Sequence, residues 1–256
     1  MEQRFTLAAG ENRIPVWLDE PASGEIRRVV LGVHGFGGSS ADEIQANMAE
    51  EMALFGSAVV RFDFPAHGCN PEKELTLAGC VETLTAVAAE AKRRYPDVED
   101  LCIFASGFGA FVTLNALDEL LELPGRVKLV VQTPSLRMHE TVLSMMGISR
   151  ETLWALDRYT VPRNPPFDVT YRFYEELRAN VVMNSYPIPI LILHGEADAY
   201  IRMEDIHAFK RINEGAKLVF IPGATHRFLE EGAWDMVLDL LRDWFMYEDV
   251  LLCDWE

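Results

Sequence analysis

The sequence predicts an α/β fold in which a mostly parallel, twisted sheet is flanked by helices. Short apolar runs alternate with longer segments whose apolar residues recur at helical spacing. Strands that alternate with helices favour parallel pairing through right-handed crossovers. Several apolar runs also end in motifs that contain Gly, His or Asp. Because ligands of such sheets bind at the carboxyl ends of the strands, these motifs are the candidate functional segments.

The first part of the chain predicts three strands and one helix. Residues 5–8 and 13–19 flank a short polar turn and are typical of an antiparallel pair. Residues 28–33 are almost wholly apolar, as expected of a strand that is covered on both faces. The next segment has apolar residues at i, i+4 and i+8 and ends at Gly56, which predicts a short helix.

The middle of the chain repeats this alternation. Residues 57–62 and 101–105 are apolar runs typical of buried strands. Between them, residues 77–91 carry an apolar stripe at helical spacing, and that helix is expected to stop before Pro96. A further helix is predicted to begin near Phe108 and to continue to about Leu121.

The alternation breaks once, after a predicted strand over residues 127–132. Residues 134–186 show helical patches rather than a strand pattern, together with a turn rich in proline. Strands over 189–193 and 217–221, and helices over 204–212 and from Gly232, then resume the pattern. We therefore predict a core domain of residues 1–133 and 187–256, with residues 134–186 inserted as a mostly helical cap.

Composition and charge limit the class of protein and partner. The chain has 256 residues, of which 49% are hydrophobic, which is enough for one large core with an insertion. The absence of an apolar run of membrane length argues against membrane insertion. A net charge of −17 disfavours nucleic acid as a partner. Four scattered cysteines (Cys69, Cys80, Cys102 and Cys253) and an N-terminus unlike a signal peptide predict reduced thiols and a cytoplasmic protein.

The strand over 101–105 leads directly into a corner rich in glycine. An apolar strand, a tight turn and a helix form the layout of a nucleophile elbow, whose usual pattern is Gly-x-Ser-x-Gly. The five aligned positions here run from Ala105 to Gly109, so Gly107 occupies the nucleophile position. Glycine readily adopts the positive φ that this position requires, but it has no atom that can attack a substrate.

Motifs at the other strand ends resemble the α/β-hydrolase superfamily, in particular its esterase, lysophospholipase and serine-aminopeptidase branch. The segments that carry the resemblance best are Arg61-Phe-Asp-Phe-Pro-Ala-His-Gly68 and Ile192-Leu-His-Gly-Glu-Ala-Asp198. The first is similar to the Asp-x-x-Gly-His-Gly segment of that branch, with Ala66 in place of a glycine. The resemblance extends from about residue 28 to residue 245 and implies an α/β-hydrolase fold.

The resemblance also implies roles for individual residues. Asp198 matches the acid and His226 the base of a catalytic triad, in the chain order of this fold. Phe36 and Phe108 match the two positions whose backbone N–H groups form an oxyanion hole. His34 and His67 match positions that orient loops through hydrogen bonds. We expect no metal ion and no cofactor.

Gly107 leaves three explanations open. The protein is a natural pseudo-hydrolase that lacks the nucleophile, or a serine has been deliberately replaced by glycine. In the third, Ser106, one residue earlier, acts instead. Ser106 fits the elbow less well, because Gly109 would then fall one position too far along for close packing of the helix on the strand.

The function implied by the resemblance is hydrolysis of a carboxylic ester, an amide or a thioester through serine, histidine and aspartate. The chain as it stands lacks the nucleophile for this reaction, so we expect it to be inactive. One alternative is a protein that binds a small apolar ligand in the old pocket, and another is a reaction in which His226 activates water. Methionines and aromatic residues of 134–186 could line a pocket for an apolar or aromatic acyl group, although for most of them packing in the core of the cap and on the main domain is the favoured role.

Overall fold

The computed structural model describes residues 2–10 and 12–247, so Cys253 lies outside the described residues. Ten strands are present in this part of the chain. They are β1 (Glu2–Ala9), β2 (Asn12–Asp19), β3 (Arg28–Val33), β4 (Ser57–Phe62), β5 (Asp100–Ser106), β6 (Arg126–Gln132), β7 (Arg158–Val161), β8 (Phe167–Thr170), β9 (Ile190–Gly195) and β10 (Lys217–Ile221).

Eight of these strands form one sheet in the order β1-β2-β4-β3-β5-β6-β9-β10. β1 pairs with β2, and β2 with β4, in antiparallel fashion, whereas the neighbours from β4 to β10 are all parallel. The carboxyl ends of β3, β4, β5, β6, β9 and β10 therefore share one edge. This confirms the predicted mostly parallel sheet.

The described helices follow the strands as crossovers or lie between them. They are α1 (Glu43–Leu54), α2 (Leu77–Arg94), α3 (Phe108–Asn115), α4 (Leu117–Leu121), α5 (Met138–Met146), α6 (Arg150–Leu156), α7 (Tyr171–Ala179), α8 (Met203–Ile212) and α9 (Ala233–Met246). The single helix predicted from Phe108 to about Leu121 is thus two helices, which meet at Ala116.

The core lies on both faces of the sheet. In β3, Val29 and Leu31 pack into one apolar cluster with residues of α2 and α3. Val30, between them, packs into a second cluster with residues of α1 and α9. Successive side chains of a strand point to opposite faces, so a strand covered on both sides has to be apolar throughout. This is why the central strands were readable as continuous apolar runs.

Residues 134–186 differ from the prediction in one respect. They contain three helices, α5, α6 and α7, but also an antiparallel pair formed by β7 and β8. The expectation of helical patches without strands is therefore wrong for this pair. Each strand has only four residues, and in β7 only every second residue is shielded from solvent. Four residues are too few for that alternation to stand out in a sequence.

Close packing of α3 on β3 fixes the elbow in space. A Cβ atom on Gly109 would lie 2.6 Å from the carbonyl oxygens of both Val33 and His34, so only glycine allows this approach. Across residues 2–10 and 12–247, none of the helices combines the length and the apolar character needed to cross a membrane.

Candidate active site

Gly107 lies at the corner between β5 and α3, with a φ of +49° and a ψ of −105°. Its N–H donates to the carbonyl oxygen of Gln132 at 2.9 Å, and its own carbonyl accepts from the N–H of Ser135 at 3.3 Å. The corner is therefore tied to β6 and to the loop that follows it. The predicted position and the predicted positive φ are both confirmed.

Asp198 and His226 form a hydrogen-bonded pair at the ends of β9 and β10. Nδ1 of His226 lies 2.8 Å from Oδ2 of Asp198, whose side chain is fully buried. The other carboxylate oxygen accepts N–H bonds from Tyr200 at 2.8 Å and Ile201 at 3.1 Å. The predicted contact between acid and imidazole is confirmed.

The environment of Asp198 favours its charged form. Burial by itself raises the pKa of this carboxyl group, but the hydrogen bond from His226, the charge of that ring and two backbone N–H donors outweigh it and lower the pKa below the usual value. An ionised Asp198 accepts the proton on Nδ1 of His226. The lone pair of Nε2 then faces away from the carboxylate, as a general base requires.

The free edge of His226 faces Gly107. A Cβ atom built on Gly107 would lie 3.5 Å from Nε2 of His226, an ordinary contact distance. A side chain at position 107 would therefore be next to the base, as predicted. In this sequence the position carries only a hydrogen atom.

Phe36 and Phe108 lie in the wall of the same cavity. Among the described residues, neither the N–H of Phe36 nor that of Phe108 has a hydrogen-bond partner. For Phe108 the reason is its place as the first residue of α3, where a helix leaves its N–H groups free. Two free donors near Gly107 suit an oxyanion hole, and that role stays a prediction.

Ser106 ends β5, where it is paired in register with Gln132 of β6. Its hydroxyl donates to Oε1 of Gln132 at 3.0 Å rather than to a nitrogen of His226. Ser106 also lines the cavity. Its hydroxyl is thus engaged with an amide, and its role as an alternative nucleophile remains untested.

Asp63 and His34 tie the loops after β4 and β3 together. Asp63 accepts N–H bonds at 2.7 Å from both Ser40 and Cys69. Nε2 of His34 accepts the N–H of Phe64 at 3.1 Å, so the proton of the neutral ring lies on Nδ1. Burial lowers the pKa of His34, against the opposing effect of Asp63, which keeps the ring neutral.

His67 is packed among aromatic rings, including those of Phe36, Phe108 and Phe167. Its Nδ1 lies 2.9 Å from the carbonyl oxygen of Pro65, to which it donates. Burial, reinforced by the nearby His34, lowers the pKa of His67 to about 3. Both histidines therefore orient loops through hydrogen bonds, as predicted, and neither is placed to act as a base near neutral pH.

A cavity of about 500 Å³ opens beside Gly107 and His226. Residues 134–186 contribute to its wall through Met145, Met146, Tyr159, Val161, Pro162, Arg163 and Asn164. This segment therefore lies over the sheet edge that carries the candidate site, and its status as a separate cap stays a prediction. A larger cavity of about 750 Å³ lies between residues 19–27 and α1, and none of the candidate site residues lines it.

Several residues of the site were not found from the sequence. Thr133, at a φ of +42°, donates through Oγ1 to the carbonyl of His226 at 3.2 Å. Oγ of Ser135 would lie 3.8 Å from a Cβ on Gly107. Both residues follow the carboxyl end of β6, where ligands of parallel sheets bind, so their position in the sequence could have identified them. Arg163 and Tyr200 reach the cavity from loops without any motif.

Comparisons with known proteins agree with this geometry. A model of the alpha/beta hydrolase family matches residues 29–240. The chain therefore belongs to the α/β-hydrolase family. A search of curated proteins found no match.

Solved structures of the same fold cover nearly the whole chain. Est1E from Butyrivibrio proteoclasticus, in a structure with ferulic acid bound, is 20% identical with a TM-score of 0.78, and the alignment covers 93% of this chain and 96% of Est1E. Mouse alpha/beta hydrolase domain-containing protein 10 is 15% identical with a TM-score of 0.75, covering 94% and 97%. An esterase from Pyrococcus furiosus is 20% identical with a TM-score of 0.69, covering 96% and 93%. At these identities the structures show a shared hydrolase fold.

Proposed function

We propose that this chain carries the site of a carboxylic ester hydrolase in which Gly107 stands at the nucleophile position. The unaltered chain then forms no acyl-enzyme through this position. The observation that carries the proposal is the line from Asp198 to His226 to Gly107. The first contact is 2.8 Å, and the second would be 3.5 Å to a Cβ atom on Gly107. A base and its orienting acid are thus aimed at Gly107, where the attacking side chain would stand.

The reaction needs one added hydroxyl, which the substitution Gly107→Ser supplies. That hydroxyl attacks the ester carbonyl while Nε2 of His226 takes its proton, and Asp198 stabilises the resulting imidazolium. The N–H groups of Phe36 and Phe108 stabilise the oxyanion. His226 then returns the proton to the departing alkoxide. Water, deprotonated by His226, finally attacks the acyl carbonyl. The bond to the oxygen of the introduced serine breaks, His226 gives that oxygen the proton, and the acid is released.

The lining of the cavity supports a small ester with an apolar or aromatic acyl group. Phe36, Met145, Met146, Tyr159 and Tyr200 contribute apolar surface. A volume of about 500 Å³ lies within the usual range for small-molecule sites. Ferulic acid, bound to the structurally similar Est1E, is an aromatic acid of this kind.

The second candidate function is ligand binding without turnover. The cavity is open beside a position that has no attacking atom, which favours it. In this function the chain holds a small apolar ligand in the place where an ester hydrolase would hold its substrate.

The experiment compares p-nitrophenyl acetate and p-nitrophenyl butanoate hydrolysis by the parent and the Gly107→Ser protein. We expect His226-dependent turnover only after the substitution, with an acyl adduct at position 107 visible by mass spectrometry. A folded Gly107→Ser protein that hydrolyses neither ester, nor esters of longer acids, would remove the esterase proposal and leave ligand binding as the better one.

A further inference from the structure

A small space is bounded by the groups around the missing side chain of position 107. We call it the Gly107 notch: the space beside Gly107 that faces Nε2 of His226, Oγ of Ser135 and the N–H of Phe108. From the position of a Cβ on Gly107, Nε2 of His226 lies at 3.5 Å and Oγ of Ser135 at 3.8 Å. The cavity described above reaches Gly107, Phe108 and His226, so a polar group of a ligand can approach these atoms from it.

Ser135 is the residue of the notch that the proposed ester hydrolysis does not use. It is 1% exposed, and its hydroxyl has no hydrogen-bond partner within the described part of the chain. A buried hydroxyl without a partner is costly, so most are satisfied by protein, water or ligand. The hydroxyl of Ser135 is therefore a donor that a ligand in the notch can satisfy.

The start of α3 adds further donors and a positive potential. This helix has eight residues and no acidic residue in its first turn. The free N–H groups of a helix N-terminus, together with its dipole, favour a negative charge. The N–H of Phe108 is without a partner in residues 2–10 and 12–247, so this potential is not neutralised by the chain itself.

Two arginines extend the positive character to the rim of the cavity. Arg163 and Arg227 both line it, both are exposed, and neither forms an ion pair with any described residue. Nε of Arg163 would lie 3.2 Å from a Cβ on Gly37, so its side chain lies across the loop that carries Phe36. In a chain with a net charge of −17, two arginines without a carboxylate partner at one cavity favour an anion there.

The described lining of the same cavity contains a single acidic residue. Asp42 is the acidic residue among the described lining residues, and its carboxylate accepts a hydrogen bond from Oγ of Ser39 at 3.1 Å. It is therefore already engaged on its own loop.

We propose that the cavity binds a small organic carboxylate, with the carboxylate group in the Gly107 notch and the apolar body along the cavity wall. The ligand is thus an acid of the kind that ester hydrolysis would release, held as a ligand rather than as a passing product. The inference uses the same cavity as the proposed function and deepens its ligand-binding form.

Glycine at position 107 is essential to this arrangement. Any side chain at position 107 would fill the notch and keep the carboxylate out, whereas glycine leaves the donors of Phe108 and Ser135 facing it. Nε2 of His226 is a further donor to the carboxylate when both ring nitrogens carry a proton. A neutral ester or amide gains less from the same donors, because hydrogen bonds to a charged acceptor are stronger.

The test is isothermal titration calorimetry with 3-phenylpropanoate and octanoate, each compared with its primary amide. We expect the parent protein to bind at least one acid about tenfold or more tightly than the matching amide. Gly107→Ser and Gly107→Ala, which fill the notch with and without an oxygen, should both abolish that preference.

Two further variants have matched controls. Ser135→Ala should weaken binding of the acid by about tenfold, whereas Ser57→Ala, which removes another buried hydroxyl without a partner but far from the cavity, should not. Arg163→Met should weaken it several-fold, while Arg211→Met, at an exposed arginine of α8 outside the cavity, should leave it unchanged. Equal affinity for acid and amide, no binding of either acid, or the same response to Ser135→Ala and Ser57→Ala would overturn the inference.

The two proposals fail separately. A Gly107→Ser protein without esterase activity would remove the proposed hydrolysis and leave the carboxylate preference of the parent protein intact. A parent protein that does not prefer the carboxylate would remove the present inference, whatever the esterase result.

Discussion

Replacing Gly107 by serine is expected to convert the scaffold into an esterase at a modest cost in stability. The Cβ would meet its nearest neighbours, His226 and Ser135, at 3.5 and 3.8 Å, so the Cβ itself displaces no atom. The remaining cost is the φ of +49°, which a non-glycine residue adopts with about 1–3 kcal/mol of strain. For a chain of this size the melting temperature should fall by about 2–4 °C per kcal/mol.

The gain in rate follows from what the site already contains. Removing the nucleophile of a complete serine triad lowers kcat by about 10⁶-fold, while oxyanion donors and substrate binding retain a rate about 10³–10⁴-fold above that in water. Adding the hydroxyl to an intact pair of Asp198 and His226 should therefore raise kcat/KM for p-nitrophenyl butanoate by at least about 10³-fold. Stopped-flow absorbance should also show a burst of p-nitrophenol if deacylation is slower than acylation.

The controls distinguish the effect of the added hydroxyl on activity from the effect of backbone strain, and show whether that activity depends on His226. Gly107→Ala carries the same backbone strain without a hydroxyl and should stay inactive. Gly107→Ser combined with His226→Ala should lose the gained activity. A well-folded Gly107→Ser protein with no gain, or a gain that survives the loss of His226, would refute the reasoning from geometry to mechanism.

Three further predictions concern the register of the elbow, its packing and its response to acid. In the Gly107→Ser background, Ser106→Ala should change kcat/KM less than about threefold, because its hydroxyl donates to Gln132; a loss comparable to that of His226→Ala would place the nucleophile one residue earlier. Gly109→Ala should lower the free energy of unfolding by about 1–3 kcal/mol or more, since its Cβ would lie 2.6 Å from two backbone oxygens, and urea titration that shows no loss would contradict this close packing. His67 has a folded-state pKa of about 3, below that of the unfolded chain, so the unfolded state takes up the proton first and stability falls as the pH drops below about 6.5. Between pH 7.5 and 5.5 this residue should account for a loss of about 1.4 kcal/mol that His67→Phe removes, and equal pH slopes for parent and variant would count against a buried neutral ring.

The central strands of the sheet were predictable because burial on both faces favours apolar residues throughout the strand. β3 and β4 are buried along nearly their whole length and have the predicted bounds, as does the half-exposed edge strand β10. Their neighbours differ by a few residues at the ends, where solvent or a turn replaces a packed helix. The elbow was predictable for a related reason, because its backbone geometry requires glycine at two positions. Gly107 has a positive φ, and Gly109 lies too close to the end of β3 for a side chain.

Features that depend on tertiary contact were not predictable. β7 and β8 are too short to show a period, and Ala116 separates α3 from α4 although its residue type favours a helix. His139 belongs to no motif in the sequence, yet its side chain is only 13% exposed and its ring packs on Tyr174. Tyr174 lies in α7, remote from His139 in the chain, so the sequence around His139 carries no sign of this contact.

Asp198 and His226 give different information about function. Asp198 accepts two N–H bonds from its own loop, so a carboxylate at this position also serves the fold. Its presence by itself would be explained by structure alone. The ring of His226 holds no other part of the fold in this way. Its Nδ1 is hydrogen-bonded to Asp198, and its Nε2 faces the Gly107 notch without a partner in the described chain. A ring held by a buried carboxylate, with its other nitrogen aimed at an unfilled space, adds little to folding. It is therefore the strongest single argument for the substrate or ligand that we propose at that position.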